Sequence, residues 1–415
     1  MIYLYSVTFK EEKKMSKKYL IINSGSSSLK FSLYESEEQK EIVNGYFEKI
    51  GLEDSFYTLK FDGNKEKKNE EIKDHEKAID IMIKELLDNK FIKSIDEIGG
   101  IGHRVLHGGD IYANSVLIDD KVVANIKSLI PLGPLHQPAN LKGIESMMKL
   151  LPNTKQVASF DTAFHQTIPE ENFLYPVPYS WYENYKVRKY GFHGISHKYI
   201  TKEFKEKLNK EDVNLIICHI GSGASISCIK SGKCFDTTMG ISPLDGLMMG
   251  TRCGAIDPSI LEYVYNQSGM NIKKITNDLN KKSGLLGISG HADCRDVENL
   301  AEKGDKKALL ALKMDYDRIA KYIAEYYLKL EGKVDAIIFT AGVGENGIEF
   351  RENIINILSP LNIIIDKDKN NEIASFKKTK EGKISKEESS IPVYVMPTNE
   401  EKMILEDTIE IINAL

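Results

Sequence analysis

Three short apolar runs along the chain each break into a turn of small residues. Leu20-Ile21-Ile22 enters Asn23-Ser24-Gly25-Ser26-Ser27-Ser28 and leaves through Leu29-Lys30-Phe31-Ser32-Leu33-Tyr34. That exit alternates strictly between apolar and polar, the period of a half-buried strand. The same order returns in Leu215–Ile220, Gly221-Ser222-Gly223-Ala224 and Ser225–Ile229, closed by Ser231-Gly232-Lys233. The two copies lie roughly half a chain apart, too far for a solenoid, and so predict two related domains. The third run, Val334–Thr340, passes Ala341-Gly342-Val343-Gly344-Glu345-Asn346-Gly347 into an amphipathic stretch bearing Ile348, Ile354, Ile355 and Leu358. Strand, loop and helix follow from that pattern. Helical spacing predicts further helices near His75–Leu87, Leu141–Leu151, Ser196–Leu208, Ala308–Leu330 and Glu401–Leu415. Strands and helices interleave, so the predicted class is α/β. The runs "NKEKKNEEIKDHEK" and "KKTKEGKISKEESS" read as solvated loops and helix faces without a function.

Composition narrows the field. A chain of 415 residues has room for two or three domains, and its 41% hydrophobic and 28% charged residues fit a soluble globular protein. The net charge of −5 gives no reason to expect nucleic acid or an anionic membrane as partner. No stretch approaches the ~20 apolar residues of a membrane span. Residues 1–14, "MIYLYSVTFKEEKK", lack the long apolar core and small-residue cleavage site of a signal peptide. They are read as an extension with no part in the fold, ahead of a natural start at Met15. Cys218, Cys228, Cys234, Cys253 and Cys294 form no C-x-x-C pair. That predicts a reducing compartment, by default the cytoplasm, and neither a disulfide framework nor structural zinc.

The glycine-serine turns suggest anion sites, because successive backbone N–H groups in such turns form a concavity for phosphate. A single turn of this kind is more often an ordinary hairpin. Three of them, at residues 23–28, 221–224 and 341–347, each after a buried-strand pattern, point to a nucleotide gripped from two lobes, with Lys30 adding a charge. None is a Walker loop, and the first two lead into strands rather than the helix a Rossmann motif requires. Seven of the nine histidines fall between His103 and His219. The spacings His103/His107 and His193/His197 would in principle suit zinc, but the glycines beside them oppose the regular helix that would align each pair. Arg104, in "GHRVLHGG", and Arg252, in "MGTRCGAIDP", are lone arginines in low-charge strings. Their planar fork suits a carboxylate or phosphoryl group, or else a structural salt bridge. Asp161 sits where a strand should end, a position of helix caps as much as of catalysts.

Taken together, "NSGSSSLK", "GHRVLHGG", "PLHQPAN", "FDTAFH", "YGFHGISHKY", "HIGSG", "MGTRCGAIDP", "SGHADCRD", "TAGVGENG" and "PTNEE" occur in one order from about Leu20 to Asp407. In this the chain resembles the acetokinase family, of the superfamily that holds actin, heat-shock chaperones and sugar kinases. The resemblance implies two actin-like (ribonuclease H-like) α/β lobes about a nucleotide cleft, one at 15–162 plus 398–415 and the other at 163–397. It implies reversible, Mg²⁺-dependent phosphoryl transfer between ATP and acetate, giving ADP and acetyl phosphate, with Mn²⁺ as a substitute metal. It also implies a homodimer.

Position by position, the resemblance gives Asn23 and Glu400 to the metal and Asp161 to the reacting centre. It gives Arg104 and Arg252 to acetate and the moving phosphoryl group, and His193 to that group's equatorial oxygens. Leu106, Leu135, Phe192 and Pro243 would surround the substrate methyl. Ser26, Ser28 and Lys30, the string His219-Ile220-Gly221-Ser222-Gly223, Asp293-Cys294-Arg295 and Gly342-Val343-Gly344-Glu345-Asn346 would bind ATP. Acetate is already ionised at neutral pH, with a pKa near ~4–5, so the nucleophile needs alignment and relief of anionic repulsion rather than a general base. Two positions depart from the family's pattern: Ser222 replaces a usual Asn, and Leu106 a common Val. The second tightens the methyl pocket and leans the reading towards acetate over propionate, by the ~1–3 kcal/mol a methylene commands. Propionate or butyrate kinases are the alternatives within the class. A non-catalytic, ATP-gated binding protein like actin is the alternative outside it, and such a protein would not need Arg104, His193 and Arg252.

Overall fold

The computed structural model describes residues 17–415; the expectation for residues 1–14 lies outside them. Two sheets organise the chain. The first contains β1 (Lys18–Gly25), β2 (Ser28–Glu35), β3 (Glu41–Glu48), β4 (Phe56–Phe61), β5 (Asn64–Asn69), β6 (Ile98–Val105), β7 (Val116–Leu117) and β8 (Gln156–Phe160), in the order β5-β4-β3-β2-β1-β6-β8-β7. The second contains β9 (Leu215–Ile220), β10 (Ala224–Lys230), β11 (Lys233–Thr237), β12 (Ala336–Thr340), β13 (Gly382–Lys383) and β14 (Val393–Val395), in the order β11-β10-β9-β12-β14-β13.

The duplication is visible in the pairing. β1 is antiparallel to β2 and parallel to β6, which is parallel to β8. β9 is antiparallel to β10 and parallel to β12, which is parallel to β14. Each glycine-serine stretch is therefore the turn of a central hairpin, and each central strand has a parallel neighbour on its other edge.

Alternation along the central strands builds five layers. Leu20 and Ile22 face out onto the helix His75–Asp88 and Met147 of the helix Gln137–Leu150. Tyr19 and Ile21 face inward, as do Leu215 and Ile217 of the second sheet. Between these inner faces lie the helices Gly194–Leu208 and Glu400–Asn413, through Ile200, Phe204, Ile404 and Leu405. Ile216, Cys218 and Ile220 face the other way, onto the helices Lys306–Lys329 and Ile348–Ile357. Strands covered on both faces read as continuous apolar runs, which is why Leu20–Ile22 and Leu215–Ile217 do.

Three expectations require correction, one being the second Lys/Glu-rich run, in which Gly382–Lys383 is the edge strand β13 and Ile384 and Ser385 are completely buried. The stretch 341–347, read as a loop, begins with the short helix Ala341–Asn346, directly after β12. The first Lys/Glu-rich run is neither loop nor helix at its start: Asn64–Asn69 is the edge strand β5, paired to β4 across Asp62-Gly63, both with positive φ. Its lysines discourage pairing with another chain at that edge. No helix among the described residues is long and apolar enough to cross a membrane.

Candidate active site

Strand ends of both sheets meet at one cleft. β6 carries Arg104, and β8 stops at Phe160, so the Asp161 amide extends the ladder by donating to the Val105 carbonyl at 3.0 Å. Arg104 Nη2 donates to Asp161 Oδ2 at 2.8 Å and Nε donates to Oδ1 at 3.1 Å. Its remaining nitrogen, Nη1, lies 2.8 Å from Glu400 Oε2. Glu400 opens the C-terminal helix, whose cap is the Asn399 side chain accepting from the Lys402 amide. Asp161 is buried, which pushes its carboxyl up; Arg104 pulls it down, and the Glu400 charge pushes it up again. Burial, then Glu400, raise Glu401 in the same way. Three carboxylates thus gather about one guanidinium.

Asn23, opposite Lys30 in the β1–β2 register, borders two adjoining hollows. The smaller, about 20 Å³, is shared with Lys30, Tyr46, Arg104, Glu400 and Glu401. The larger, about 180 Å³, is walled by Arg104, Asp161, His193 and Arg252 on its polar side, and by Leu106, Phe192 and Pro243 on its apolar side. That volume suits a small carboxylic acid with part of a phosphoryl group. The oxygen donors of Asn23, Asp161 and Glu400 are the hard ligands Mg²⁺ takes.

Arg252 reaches the larger hollow from the loop after β11. Its guanidinium donates to the Pro243 carbonyl at 3.3 Å and has no carboxylate partner among the described residues. Burial lowers its pKa, as expected for a desolvated charge without a counter-ion. A Cβ added at Gly223 would lie 3.5 Å from both Arg252 Nη1 and His193 Nε2. The lack of a side chain there leaves room for a ligand atom between them.

The histidines separate by role. His103 pairs with Gln156 at 2.8 Å within the first sheet, and His107 Nδ1 accepts from the Gly109 amide at 2.9 Å. His193 precedes the helix Gly194–Leu208 in a left-handed conformation (φ 58°). Its ring stacks on that of His219 with centroids 4.2 Å apart. The turn is fixed from behind, because the Gly194 amide donates to the Asp161 carbonyl at 2.8 Å and an added Cβ would lie 2.2 Å from that oxygen. Burial lowers His193 well below the ordinary histidine range, with His219 and Arg104 pushing the same way. His219 is lowered to about 3, by burial first and Arg104 second.

The turn His219–Gly223 abuts the helix Ala341–Asn346, since Thr340 pairs with His219 in the parallel ladder. Glu345 and Asn346 are tied into the scaffold: Glu345 Oε1 accepts from the Thr398 amide at 3.1 Å, Glu345 Oε2 from the Ser375 hydroxyl at 2.7 Å, and Asn346 Oδ1 from the Ser375 amide at 3.0 Å. Asp293 caps the helix Cys294–Glu302 and pairs with the exposed Arg295. Ser26 is exposed in the two-residue turn between β1 and β2, and Ser28 opens β2. Two predicted site side chains stand apart. Cys294 is packed in the apolar core beside Val297, which leaves only its backbone for a ligand. Leu135 is 54% exposed and does not wall the hollow; its neighbour His136 does.

Sequence reasoning missed Asn140, which joins the two ends of the site. Its Nδ2 donates to the Ser24 carbonyl at 2.7 Å, and its Oδ1 accepts from the Leu106 amide at 2.9 Å. Gln137 brackets the His107 backbone in the same manner, at 3.1 and 2.8 Å. The signal was a pair of amides in "PLHQPAN", at the start of a helix whose apolar face was already counted.

The Acetokinase family model matches residues 18–406. An acetate kinase of Finegoldia magna is 48% identical over 397 residues, covering 95% of this chain and 99% of that one. One from Bacillus cereus is 47% identical over 399 residues, covering 95% and 99%. Among solved structures, Porphyromonas gingivalis acetate kinase aligns with a TM-score of 0.89 at 42% identity, covering 95% of this chain and all of that one. A propionate kinase from Francisella tularensis aligns with a TM-score of 0.90 at 41% identity, covering 95% and 99%.

Proposed function

The chain belongs to the acetokinase family, kinases that transfer a phosphoryl group to a carboxylate, and from that premise we propose how its cleft serves acetate and ATP. The observation that carries the reading is the larger hollow, where Arg252, without a carboxylate partner among the described residues, a carboxylate-bound Arg104 and His193 face the apolar wall of Leu106, Phe192 and Pro243. The acetate methyl rests on that wall and its carboxylate turns towards the two guanidiniums. The nucleotide lies along the turns 23–28 and 221–223 and the helix Ala341–Asn346, bringing its terminal phosphate to the gap beside Gly223.

The acetate anion needs no base, so the residues align it in line with the phosphoryl group and offset the repulsion between anions. Asn23, Asp161 and Glu400 would hold Mg²⁺, which when bound neutralises charge on phosphoryl oxygens; Mn²⁺ has the same donor preferences. On this reading Asp161 organises the cation and its water and abstracts no proton.

The lobes divide at 15–162 with 398–415 and at 163–397. Supporting this, β8 ends at Phe160 and the C-terminal helix returns onto the first sheet. The chain acts as a homodimer: the helix Ser259–Ser268 has no buried residue, and Tyr263 is 67% exposed, a surface suited to a second copy. Sedimentation of the purified chain as a monomer would contradict this. Five free cysteines suit the cytoplasm.

The test traps acyl phosphate with hydroxylamine, using ATP, Mg²⁺ and formate, acetate, propionate or butyrate in turn. Signal greatest with acetate is expected. Greatest signal with propionate would favour a second reading, which the likeness to the Francisella enzyme supports. No signal with any acid, from folded protein that binds ATP, would overturn both.

A further inference from the structure

Between β10 and the helix Gly194–Leu208, one buried hydroxyl is shared by two imidazoles. Ser225 Oγ lies 2.9 Å from His193 Nδ1 and 2.9 Å from His197 Nε2. Ser225 and His197 are completely buried. Burial first, then neighbouring imidazoles and, for His193, Arg104 and Arg252, push both rings well below the ordinary histidine range, so each is neutral at pH 7 and carries one ring proton. A serine hydroxyl has one proton to give, so it donates to one ring and accepts from the other.

The far nitrogen of His197 decides the direction. Among the described residues, His197 Nδ1 is buried without a partner. A proton there would be an orphaned buried N–H, a rarer and costlier defect than an unpaired lone pair. The proton therefore sits on Nε2, and His197 donates to Ser225. The serine O–H is then aimed at His193 Nδ1, and the His193 proton is on Nε2. That nitrogen looks into the gap beside Gly223 and Arg252 Nη1.

We propose that Ser225 and His197 are positioning residues that lock His193 as its Nε2–H tautomer, so that it offers a hydrogen-bond donor to the phosphoryl group being transferred. The opposite tautomer would point a lone pair at an anion. The proposal rests on the phosphotransfer reading above and adds two residues behind His193 that touch no substrate.

Full-length protein labelled with ¹⁵N-histidine, read by long-range ¹H–¹⁵N correlation, tests this. His193 resonances are identified by their loss in H193Q. The wild type is expected to show His193 protonated at Nε2. S225A is expected to mix the tautomers and to lower kcat by roughly ten- to a hundred-fold, with KM for acetate and ATP moving less than about three-fold. S225T, which keeps the hydroxyl, is expected to hold the tautomer and stay within about three-fold of wild-type kcat. A wild-type His193 protonated at Nδ1 would overturn the proposal without any variant. So would an S225A protein with the tautomer retained and kcat unmoved, even if its melting temperature fell. The spectrum requires no turnover, so absence of acyl phosphate in the wild type would defeat the functional reading while the lock was still decided.

Discussion

Arg104 and Arg252 wall the same hollow in opposite electrostatic states. Arg104 is saturated by Asp161 and Glu400, and their charges raise its pKa against the cost of its burial. Arg252 is desolvated and, among the described residues, hydrogen-bonds only to the Pro243 carbonyl and the Met249 thioether. Removing either should abolish transfer, but the consequences for folding should differ. Arg104→Ala strands a buried Asp161 beside Glu400, and breaking such a pair commonly costs ~3–5 kcal/mol. Arg252→Ala removes a charge that no carboxylate among the described residues pairs with. The expected outcome is a fall of at least ~10²-fold in kcat for both variants, with a lowered melting temperature for Arg104→Ala alone. Equal melting temperatures would mean that the Arg104 pair contributes nothing net, and that the carboxylates find other partners.

At the scale of elements, the apolar runs and glycine-serine turns were legible because doubly covered strands leave no polar alternation to confuse them. The five helices located by apolar spacing also lie within a few residues of their predicted ends. What escaped is what local pattern does not encode. β5 is lysine-rich because it is an exposed edge, and the hairpin signal Asp62-Gly63 before it was masked by that charge. The helix Ala341–Asn346 contains two glycines, and long-range partners hold it in place. Arg351, completely buried, donates to the carbonyls of Gly344 and Glu345 at 2.9 Å each, to Asn370 Oδ1 at 2.8 Å and to the Ile373 carbonyl at 2.9 Å. It fixes the C-terminal end of that helix, where a cation also complements the helix dipole. Arg351→Met would leave these acceptors buried and unpaired, at a cost above ~2 kcal/mol. If this clamp shapes the nucleotide site, KM for ATP rises several-fold while KM for acetate stays near wild type. Urea unfolding and steady-state kinetics on one preparation read both effects. An unchanged KM for ATP would confine Arg351 to stability.

For the molecule as a whole, the layered arrangement buries an unusual number of imidazoles, and stability should follow their titration. His103, His107 and His165 are lowered by burial to about 4 from an ordinary 6.5, His219 to about 3, and His193 and His197 also lie well below. For each, the unfolded chain binds a proton at a pH where the native state refuses one. Their stabilisation is therefore complete above about pH 6.5 and is lost as pH falls towards the folded values. For His103, His107 and His165, the fall from 6.5 to about 4 corresponds to roughly 3 kcal/mol each. One carboxyl opposes them clearly: burial raises Asp315 to about 7, so its contribution is full in acid and declines as pH rises towards 7. The histidines outnumber it, and four of their rings are mutual neighbours, His193 with His219, and His197 with both His165 and His219. Protons on several of them at once would repel within the layer between the sheets. A domain's total stability is commonly ~5–15 kcal/mol, so the urea midpoint should fall steeply between pH 6.5 and pH 4.5, and replacement of His103 by Gln should flatten the slope. A midpoint that rose on acidification would mean that the raised carboxyls, not the imidazoles, govern this window.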